Sequence, residues 1–336
     1  MRAKKIFLVC LATIVFLGLS SSLFGATGKK LGEGIVIYAQ MGGIPGGAST
    51  LPRHLGAKIA EEQWGCEVHY QFSEWQSAKM IAQFKEAIAA GPDGIVVCGH
   101  PGVEPFKPFV EEAQKMGIIV TTNNVPLPEL EERYMSKGFG YIGMDLYDAG
   151  YLLGSAVAEI GKLKGKLEEE DKVLVYGLAS LPTRGLTTRG NIQAFEDAGL
   201  KVDYLEISRE VDSDASLGVP VLTAYLISNP DCKALIIDHG MVTGIAEDVL
   251  KAAELKPGDI VVGGTDLSPK TVAALLGGYI QAAQDQQIFL QGYLPITQIC
   301  LTKLFKISGL HTNTGYCIVT EETIHDLIPL IEEGYR

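Results

Sequence analysis

Short apolar segments alternate along this chain with longer segments in which apolar residues recur at every third or fourth position. Residues 94–98 (GIVVC) are apolar throughout, which is typical of a strand buried on both faces of a sheet. The segment before them places Met80, Phe84 and Ile88 at helical spacing. Because continuous apolar strands separated by amphipathic helices form parallel sheets covered on both faces, the pattern predicts an α/β fold.

The same alternation divides the chain into two halves. In the first half, strands are predicted at 35–40, 66–72, 94–98 and 118–124. The Pro-Leu-Pro sequence at 126–128 and a charged stretch after it then interrupt the pattern. In the second half, the predicted strands lie at 139–142, 173–177, 201–207, 234–238, 260–263, 279–284 and 315–319. Each half is expected to form its own sheet.

The start of the chain differs from this pattern. Three basic residues among the first five precede an uncharged stretch at 6–19, and small and polar residues follow as far as Ala26. This order predicts a secretory signal peptide at 1–26, because the apolar stretch is shorter than the ~20 residues that span a bilayer. Cys10 lies inside the stretch rather than after it, which argues against a lipid anchor. We therefore expect an exported protein, in the periplasm or on the extracellular face.

Charge and cysteine content narrow the function further. The formal net charge is −12 at pH 7, and loss of the three basic residues of the signal would bring it to −15. Such an acidic chain is a poor partner for nucleic acid or an anionic membrane, and its charge favours a monomer. Five cysteines remain after the signal, without CxxC spacing, and their odd number predicts buried apolar residues rather than a disulfide framework or a metal site. They are Cys66, Cys98, Cys232, Cys300 and Cys317.

Polar side chains stand where several of the predicted strands end. Ligands of open parallel sheets bind beyond the carboxyl ends of the strands, so these residues are candidates for a binding site. They are Gln40, Asn123, Asn124, Asp238, Asp266 and the cluster Gln284-Asp285-Gln286-Gln287. Carboxylates accept hydrogen bonds from two hydroxyls and amides both donate and accept, whereas phosphates would require Arg, Lys or helix N-termini. The set therefore predicts a sugar or a sugar alcohol as the ligand.

Several segments carry a resemblance that covers essentially the whole chain after the signal. They are Gly91-Pro-Asp-Gly-Ile-Val-Val, Gly117-Ile-Ile-Val-Thr-Thr-Asn-Asn, Tyr141-Ile-Gly-Met-Asp-Leu-Tyr-Asp-Ala-Gly, Val261-Val-Gly-Gly-Thr-Asp and the segment 183–195. Together they resemble the periplasmic sugar-binding proteins of bacterial ABC transporters, in the ribose-binding-like group. The resemblance implies a two-lobed type I periplasmic-binding-protein fold, each lobe a mostly parallel sheet flanked by helices, with the ligand cleft between the lobes. It implies a first lobe of 33–140 plus 285–312 and a second of 141–284 plus 313–336.

The same resemblance implies which residues contact the ligand. Asn124 takes the position of a sugar-binding aspartate, and Asp266 takes that of a ligand aspartate. Arg189 matches one of two arginines that usually fall in the segment 183–195, whereas the other, commonly the ligand arginine, falls at Asn191. The two further matches are Asp238, at a ligand asparagine, and Gln284, at a ligand glutamine.

The chain departs from ribose-binding proteins after the first strand. Members of that group often place two phenylalanines there to stack on the sugar ring, but residues 44–50 contain no aromatic side chain. The absence favours an acyclic polyol or a small furanose over a flat pyranose. The sequences GHPG (99–102), NVPLP (124–128), DHG (238–240) and DQQ (285–287) resemble a subgroup associated with sugar alcohols.

Five residues admit two interpretations. Asp145 either contacts the ligand or caps the helix that it precedes, and capping is favoured. Trp75 either reaches the cleft or packs elsewhere, and Arg189 lies either in the cleft or on a helix surface, with the cleft favoured. His100 and His239 stand near strand ends without partners at ligand spacing, which favours a hydrogen-bonding role over metal binding.

The residues together predict an exported solute-binding protein rather than an enzyme. It would capture a pentose, pentitol or tetritol by hinge closure and deliver it to an ABC permease. No cofactor or metal is expected, since the glycine-rich turn 42–47 lacks the G-x-G-x-x-G spacing of a dinucleotide loop. A sensor or chemoreceptor partner for the same solutes is an open alternative. An exported enzyme is less favoured, because the chain lacks the G-x-S-x-G sequence of a hydrolase.

Overall fold

The computed structural model describes residues 28–336, which form two six-stranded sheets with helices on both faces. The predicted signal peptide at 1–26 lies outside the described residues. No helix between residues 28 and 336 combines the length and the apolar character that a bilayer crossing requires. The predicted α/β class, with one mostly parallel sheet in each half, is confirmed.

The first sheet contains β1 (Val36–Gly42), β2 (Glu67–Phe72), β3 (Gly94–Cys98), β4 (Ile119–Asn124), β5 (Tyr141–Gly143) and β11 (His311–Asn313). Its pairs are all parallel, in the spatial order β11-β5-β4-β3-β1-β2. Every residue of β3 is buried, because neighbouring strands and helices on both faces enclose it. The uninterrupted apolar sequence of β3 follows from this central position.

The second sheet contains β6 (Lys172–Gly177), β7 (Lys201–Glu206), β8 (Cys232–Ile237), β9 (Val261–Thr265), β10 (Ala282–Gln284) and β12 (Ile318–Val319). The spatial order is β12-β10-β9-β8-β6-β7. The pairs are parallel except that β12 runs antiparallel to β10. The two sheets therefore have the same architecture and differ at one edge strand.

Helices connect the strands and cover the sheets. In chain order they are α1 (Leu51–Trp64), α2 (Ser77–Ala90), α3 (Val103–Lys115), α4 (Pro128–Tyr134), α5 (Leu146–Leu163), α6 (Gly185–Asp197), α7 (Arg209–Ser213), α8 (Gly218–Ser228), α9 (Gly240–Thr243), α10 (Ala246–Ala252), α11 (Pro269–Leu276), α12 (Leu290–Phe305) and α13 (Ile328–Glu332). Short 3-10 turns lie at Met135–Lys137, Ala215–Leu217 and Ile324–Asp326.

In each half, one pair of helices approaches closely through glycines. α1 and α12 meet at Gly56 and Gly292, and α5 and α6 meet at Gly150 and Gly190. A Cβ on any of these glycines would collide with a backbone atom of the facing helix, so a larger residue would force the helices apart. The close contact lets each pair pack as one layer on its sheet, over a core of apolar strand residues.

Strand pairing corrects three local predictions. β5 and β11 belong to the first sheet, so residues 141–143 and Asn313, which the sequence assigned to the second lobe, lie in the first sheet. β11 itself was not predicted, because three residues are too few to show a periodicity. The charged stretch after the Pro-Leu-Pro sequence, which interrupts the predicted pattern, contains α4, which begins at Pro128 and buries Leu130 and Tyr134.

The chain passes between the two sheets three times. The passages lie between β5 and α5, between β10 and α12, and between β11 and β12. The first sheet is consequently built from two separate parts of the chain, with α12 and β11 returning to it before β12 completes the second sheet. This arrangement places the carboxyl ends of both sheets next to the passages, where a cleft can open and close.

Candidate functional site

At the carboxyl end of each sheet, a polar residue at or next to the last position of a strand adopts the left-handed backbone conformation. Asn124, the last residue of β4, has φ 66°, and Asp266, directly after β9, has φ 68°. Asn and Asp adopt this conformation more readily than other residues that carry a side chain. We call these two the corner residues, because each turns the chain away from its strand and leaves a polar side chain at the edge of the sheet.

The first sheet surrounds its corner residue with an imidazole and an indole. Oδ1 of Asn124 lies 3.1 Å from Nδ1 of His100, and the rings of His100 and Trp75 lie 5.1 Å apart. Trp75 has φ 58°, which is uncommon for a bulky residue, and its ring packs against Gly42 and Gly43. A strained conformation of this kind persists only where the surroundings hold it, and such residues cluster at binding sites.

A buried guanidinium lies beneath this surface. Arg53 of α1 is 0% exposed, and it donates from Nη1 to the Met41 carbonyl (2.8 Å) and from Nη2 to Oε1 of Gln291 (2.9 Å). Its guanidinium carbon lies 5.7 Å from the centroid of the Trp75 ring. Burial lowers the pKa of Arg53. The two hydrogen bonds from its guanidinium hold the end of β1 and the start of α12 beside Trp75.

The second sheet contributes two carboxyl groups. Asp238, which follows β8, accepts hydrogen bonds from Thr188 Oγ1 (2.5 Å) and Thr265 Oγ1 (3.4 Å). Asp266 accepts one from Nε2 of Gln286 (2.5 Å). Burial raises the pKa of Asp238 to about 7 and that of Asp266 to about 6, because the charged forms lose hydration. Each carboxylate keeps lone pairs for further donors, which is what hydroxyl groups supply.

A salt-bridge network borders these carboxyls. Arg184, at the start of α6, donates to both oxygens of Asp212, at 3.0 and 3.2 Å, and Oδ1 of Asp212 lies 2.8 Å from Nε2 of His239. The hydrogen bonds from His239 and then from Arg184 hold the pKa of Asp212 well below its usual range. Because Asp212 balances its charge, Arg184 is suited to donate to a neutral ligand.

The side chains of the two sheets lie opposite one another. Burial and then the charge of Arg184 lower the pKa of His100 to about 4, and the charge of Arg53 partly offsets the rise at Asp266. Hydrogen bonds link the two sheets at the same place, because the Gln286 carbonyl accepts from Nε2 of Gln291 in α12 at 3.4 Å while Nε2 of Gln286 donates to Asp266. The cleft lies between the two sheets at these groups. We name Trp75, His100 and Asn124 the first wall of this cleft, and Arg184, Asp238, Asp266 and Gln286 the second wall.

Comparisons with known proteins identify the family of the chain that forms this cleft. A sequence profile described as a periplasmic binding protein domain matches residues 54–301. The chain belongs to the periplasmic binding protein family. A curated relative, the xylose/arabinose-binding protein XylF of Sulfolobus acidocaldarius, is 26% identical over 287 residues, which cover 82% of this chain and 68% of the relative.

Solved structures of periplasmic binding proteins share the two-lobed arrangement. An ABC transporter solute-binding protein from Burkholderia graminis, solved with D-arabinose, superposes with a TM-score of 0.74 at 20% identity and covers 88% of this chain and 98% of its own. A carbohydrate transporter protein from Acidothermus cellulolyticus, solved with myo-inositol, gives 0.73 at 21% identity, covering 90% and 99%. The predicted type I periplasmic-binding-protein fold is confirmed.

In this periplasmic binding protein, four of the predicted site residues, Asn123 among them, lie inside the lobes rather than at the surface. Gln40, Asn191 and Gln284 are all 0% exposed. Gln40 accepts from the Cys98 amide (3.1 Å) and donates to the Met80 carbonyl (2.7 Å), which joins β1 to β3 and α2. Gln284 donates to a carbonyl of α5 at 2.6 Å, and Asn191 donates to a carbonyl one turn earlier in α6 at 3.1 Å. These amides hold the elements that carry the walls.

Asn123 and Asn124 are adjacent but point to different places. Asn123 is 0% exposed, and its Nδ2 donates to the carbonyl of Gln40 at 3.4 Å. Its Oδ1 has no hydrogen-bond partner among residues 28–336. Because successive side chains of a strand point to opposite faces, only Asn124 reaches the edge of the cleft.

Arg189 is hydrogen-bonded to the loop that leads into Arg184. Its Nη1 donates to the carbonyls of Ala179 (2.5 Å) and Leu181 (3.3 Å), and its Nη2 donates to the carbonyl of Pro182 (2.8 Å). These three carbonyls belong to the loop that leads into Arg184. The predicted arginine therefore shapes the loop, and Arg184 is the arginine that the loop presents beside the carboxyls.

Asp145 ties two passages between the sheets together. It precedes α5, but its side chain makes no capping hydrogen bond, so the favoured capping role is wrong. Oδ1 of Asp145 lies 2.7 Å from Nε2 of His311, and Oδ2 accepts from Nδ2 of Asn313 at 2.9 Å. Nδ1 of His311 lies 2.8 Å from Oε1 of Glu131 in α4. We call Asp145, His311, Asn313 and Glu131 the hinge cluster.

Sequence reasoning missed Arg53 and Arg184. Each lies at or near the start of a helix that follows a strand, so a search for charged residues in the first turn after each strand could have found them. Trp75 and His239 were left with two interpretations. Trp75 packs beside His100 and Arg53, and His239 is hydrogen-bonded to Asp212. Residues 28–336 contain no group of His, Cys, Asp and Glu arranged to hold a metal ion.

Proposed function

We propose that this chain is an exported solute-binding protein that captures a small neutral sugar or sugar alcohol and delivers it to an ABC permease. The observation that supports this most is the pair of opposed walls, because a ligand bound to both would hold the lobes together. We propose that the signal peptide is removed near Ala26, that residues up to about 143 with α12 and β11 form the first lobe, and that the protein acts as a monomer.

The hydrogen-bonding groups of the walls favour a neutral, polyhydroxylated ligand. Asp238 and Asp266 can accept from hydroxyls, while Asn124 and Gln286 can both donate and accept. An anionic ligand would need an uncommitted cation, but both guanidiniums at the cleft already donate to protein groups. Two buried carboxylates would also repel it. A sugar or polyol satisfies the walls without an added charge.

The ligands named for relatives point to the same class. The curated relative is named for xylose and arabinose, and the two structures were solved with D-arabinose and myo-inositol. All are neutral compounds with several hydroxyls. We therefore propose a pentose first and a pentitol or tetritol second.

Trp75 changes the expected shape of the ligand. The turn at 44–50 contains no aromatic residue, but Trp75 reaches the same rim from the end of β2. Its half-buried ring can stack on the apolar face of a sugar, which is the contact that the missing phenylalanines would supply. A pentose in its pyranose form is therefore proposed alongside the furanose and acyclic forms.

A thermal-shift and calorimetry panel tests this function. The panel contains D-xylose, D- and L-arabinose, D-ribose, xylitol, erythritol, myo-inositol and glucose, with citrate and glucose 6-phosphate as anionic controls. We expect at least one five-carbon compound to bind with a micromolar Kd, about −8 kcal/mol, and the anions not to bind. Binding confined to the anions, or no response to any neutral sugar, would refute the proposal.

A further inference from the structure

The edge of the first sheet at which its strands begin exposes a set of apolar side chains. β4, β5 and β11 are parallel neighbours, so the connections that lead into them lie side by side at this edge. Among residues 28–336, six of the eighteen exposed large apolar side chains lie on these three connections: Met116, Met135, Leu304, Phe305, Ile307 and Leu310. We call the three connections the basal edge, which comprises residues 115–118, 134–140 and 303–310.

Backbone contacts join the three connections into one surface. The Gly309 amide donates to the Met135 carbonyl at 2.7 Å. A Cβ on Gly138 would meet both Ile119 of β4 and Thr302 of α12 within 3.1 Å, so the chain at Gly138 runs between these two elements. The apolar side chains therefore surround one edge of the sheet and are not scattered over the lobe. A contiguous exposed apolar surface of this kind marks a site of interaction.

The basal edge is also basic. It contains four lysines and no acidic residue, whereas the whole chain has a formal net charge of −12. Two acidic side chains beside it are paired with cations: Asp93 lies 2.7 Å from Lys303, and Glu111 lies 2.9 Å from Arg133. Exposed charges more than about 8 Å apart are largely screened at physiological salt, so the local lysines act on whatever touches this edge. The expectation that the chain avoids anionic membranes follows from its overall charge and not from this edge.

We propose that the basal edge binds the surface of an anionic lipid bilayer. Lysines beside exposed apolar side chains suit such a surface, because the apolar groups enter the headgroup region while the ammonium groups meet lipid phosphates. Protein–protein interfaces are enriched in arginine and tryptophan and depleted in lysine. The basal edge contains neither arginine nor tryptophan, so its composition favours a lipid surface over a protein partner.

The position of the basal edge leaves the cleft accessible. Met116 precedes the amino end of β4, whereas the corner residue Asn124 stands at its carboxyl end. The six residues of β4 therefore place the cleft about 20 Å from the bound bilayer. A protein held in this way would load its ligand from solution while it stays close to the membrane. The proposal goes beyond the proposed function and does not depend on which ligand the cleft takes.

Two neighbouring residues offer variants that preserve the fold. Lys306 ends α12 with φ 59°, a conformation that glycine adopts without strain, so Lys306→Gly removes a charge and keeps the helix end. Phe305→Ser removes a ring that is 56% exposed. Matched controls lie at the end of α5 in the second lobe, where Leu163 is 80% exposed and Lys164 follows it. Three glutamates at 168–170 stand close behind in the chain, so Leu163→Ser and Lys164→Gly test an apolar and basic pair without a basic surface.

Vesicle flotation tests the proposal. The chain without its predicted signal peptide is mixed with vesicles of phosphatidylcholine alone, or of phosphatidylcholine and phosphatidylglycerol in equal parts, at about 0.05 M and about 0.5 M NaCl. We expect the wild type to float with the phosphatidylglycerol vesicles at low salt and to lose most of this binding at high salt. Phosphatidylcholine alone should not bind it. Lys306→Gly and Phe305→Ser should each lower the partition coefficient about fivefold, and the two controls should match the wild type.

Several outcomes would overturn the proposal. They are no flotation at low salt, flotation that ignores the lipid charge, and equal losses in Phe305→Ser and Leu163→Ser. A wild type that sediments as a dimer without vesicles, while Phe305→Ser sediments as a monomer, would assign the basal edge to a second copy of the chain instead. The variants lie away from both walls, so their melting temperatures and thermal-shift responses to the sugar panel should match those of the wild type. Failure of the flotation would therefore leave the proposed sugar binding untouched.

Discussion

The two walls of the cleft are built on the same plan but from different chemistry. Each has a corner residue in the left-handed conformation, Asn124 on the first wall and Asp266 on the second. The first wall adds an imidazole and an indole, and the second adds a carboxyl, an amide and a paired guanidinium. Hydrogen bonds to charged groups contribute about 1.5–3 kcal/mol, against about 0.5–1.5 kcal/mol for neutral pairs. We therefore expect the second wall of the proposed site to supply most of the binding free energy and the first wall to supply shape.

Removal of each corner side chain tests this difference most sharply. Glycine adopts a φ near 68° without strain, so Asp266→Gly removes the carboxylate and leaves the turn intact. We expect it to weaken sugar binding roughly 10- to 150-fold by calorimetry, because a charged acceptor is lost. The matched change Asn124→Gly should cost only about 2- to 10-fold. Equal losses at the two corners would show that the walls do not differ as described.

A change in pH should alter ligand binding through the second wall alone. The pKa values of about 6 for Asp266 and about 7 for Asp238 mean that both are largely neutral at pH 5 and ionised at pH 8. If the ionised form accepts the ligand hydroxyls, the affinity should rise about tenfold across this range. Asp266→Asn, which keeps the shape and the turn, should flatten the profile and leave only the part due to Asp238. A wild-type affinity that does not change with pH would contradict an ionised second wall.

The same pKa values have a consequence for stability. The pKa values of both carboxyls are higher in the folded protein than the usual value of 3.8. As the pH rises, the unfolded chain therefore loses these protons at a lower pH than the folded protein does. Their contribution to the free energy of unfolding is therefore largest below about pH 4 and is lost as the pH rises through 6 to 7. Bound sugar should reduce this loss, and chemical denaturation at pH 5 and pH 8 with and without sugar measures it.

Trp75 tests the shape contribution of the first wall. Trp75→Leu keeps an apolar side chain but removes the aromatic face, and we expect sugar binding to weaken roughly 2- to 10-fold. Trp75→Phe should recover part of the loss. If acyclic xylitol loses as much affinity as the pyranose-forming pentoses, the ring is not a stacking surface and the wall acts only by excluding water.

The smallest effect is expected at the hinge cluster. Partial burial disfavours the charged form of His311, but hydrogen bonds to Asp145 and Glu131 outweigh it and raise the pKa of His311. Protonated His311 therefore stabilises the folded protein fully below about pH 6.5, and this stabilisation is lost as the pH rises through the pKa that His311 has in the folded protein. Because His311 is 43% exposed, His311→Gln should lower the free energy of unfolding by less than about 1 kcal/mol at pH 6 and by less still at pH 9. The exposed His325→Gln is the control, and an equal effect at both pH values would argue against the cluster.

The strand ends could be predicted from the sequence, but the direction of their side chains could not. Asn124 and Asp266 were found because polar residues end two apolar strands, and Gln40 and Gln284 were chosen by the same rule. Side chains alternate along a strand, so a shift of one residue decides between the cleft and the interior of the lobe. The amides of Gln40 and Gln284 fell on the interior side, where buried hydrogen bonds hold them.

Site residues outside the strands were harder to predict from the sequence. Arg53 and Arg184 lie where a loop becomes a helix, and hydrophobic periodicity carries no information about the direction of such side chains. Trp75 reaches the cleft only because two residues in succession, Glu74 and Trp75, have positive φ. Neither Glu nor Trp is a residue from which a left-handed turn would be predicted. The three-residue strand β11 was missed for the related reason that most of its stabilisation comes from pairing with a distant part of the chain.

The corner residues limit how the ligand preference of this protein can change. In the proposed site, the residues at positions 124 and 266 both bend the backbone and contact the ligand, and only Asn, Asp and Gly do the first at little cost. Only two polar residue types, Asn and Asp, suit these positions, and the protein has one of them on each wall. A variant library aimed at a new sugar would therefore gain little from these two sites. It should instead diversify His100, Arg184 and Gln286, whose φ values place no such restriction on the side chain.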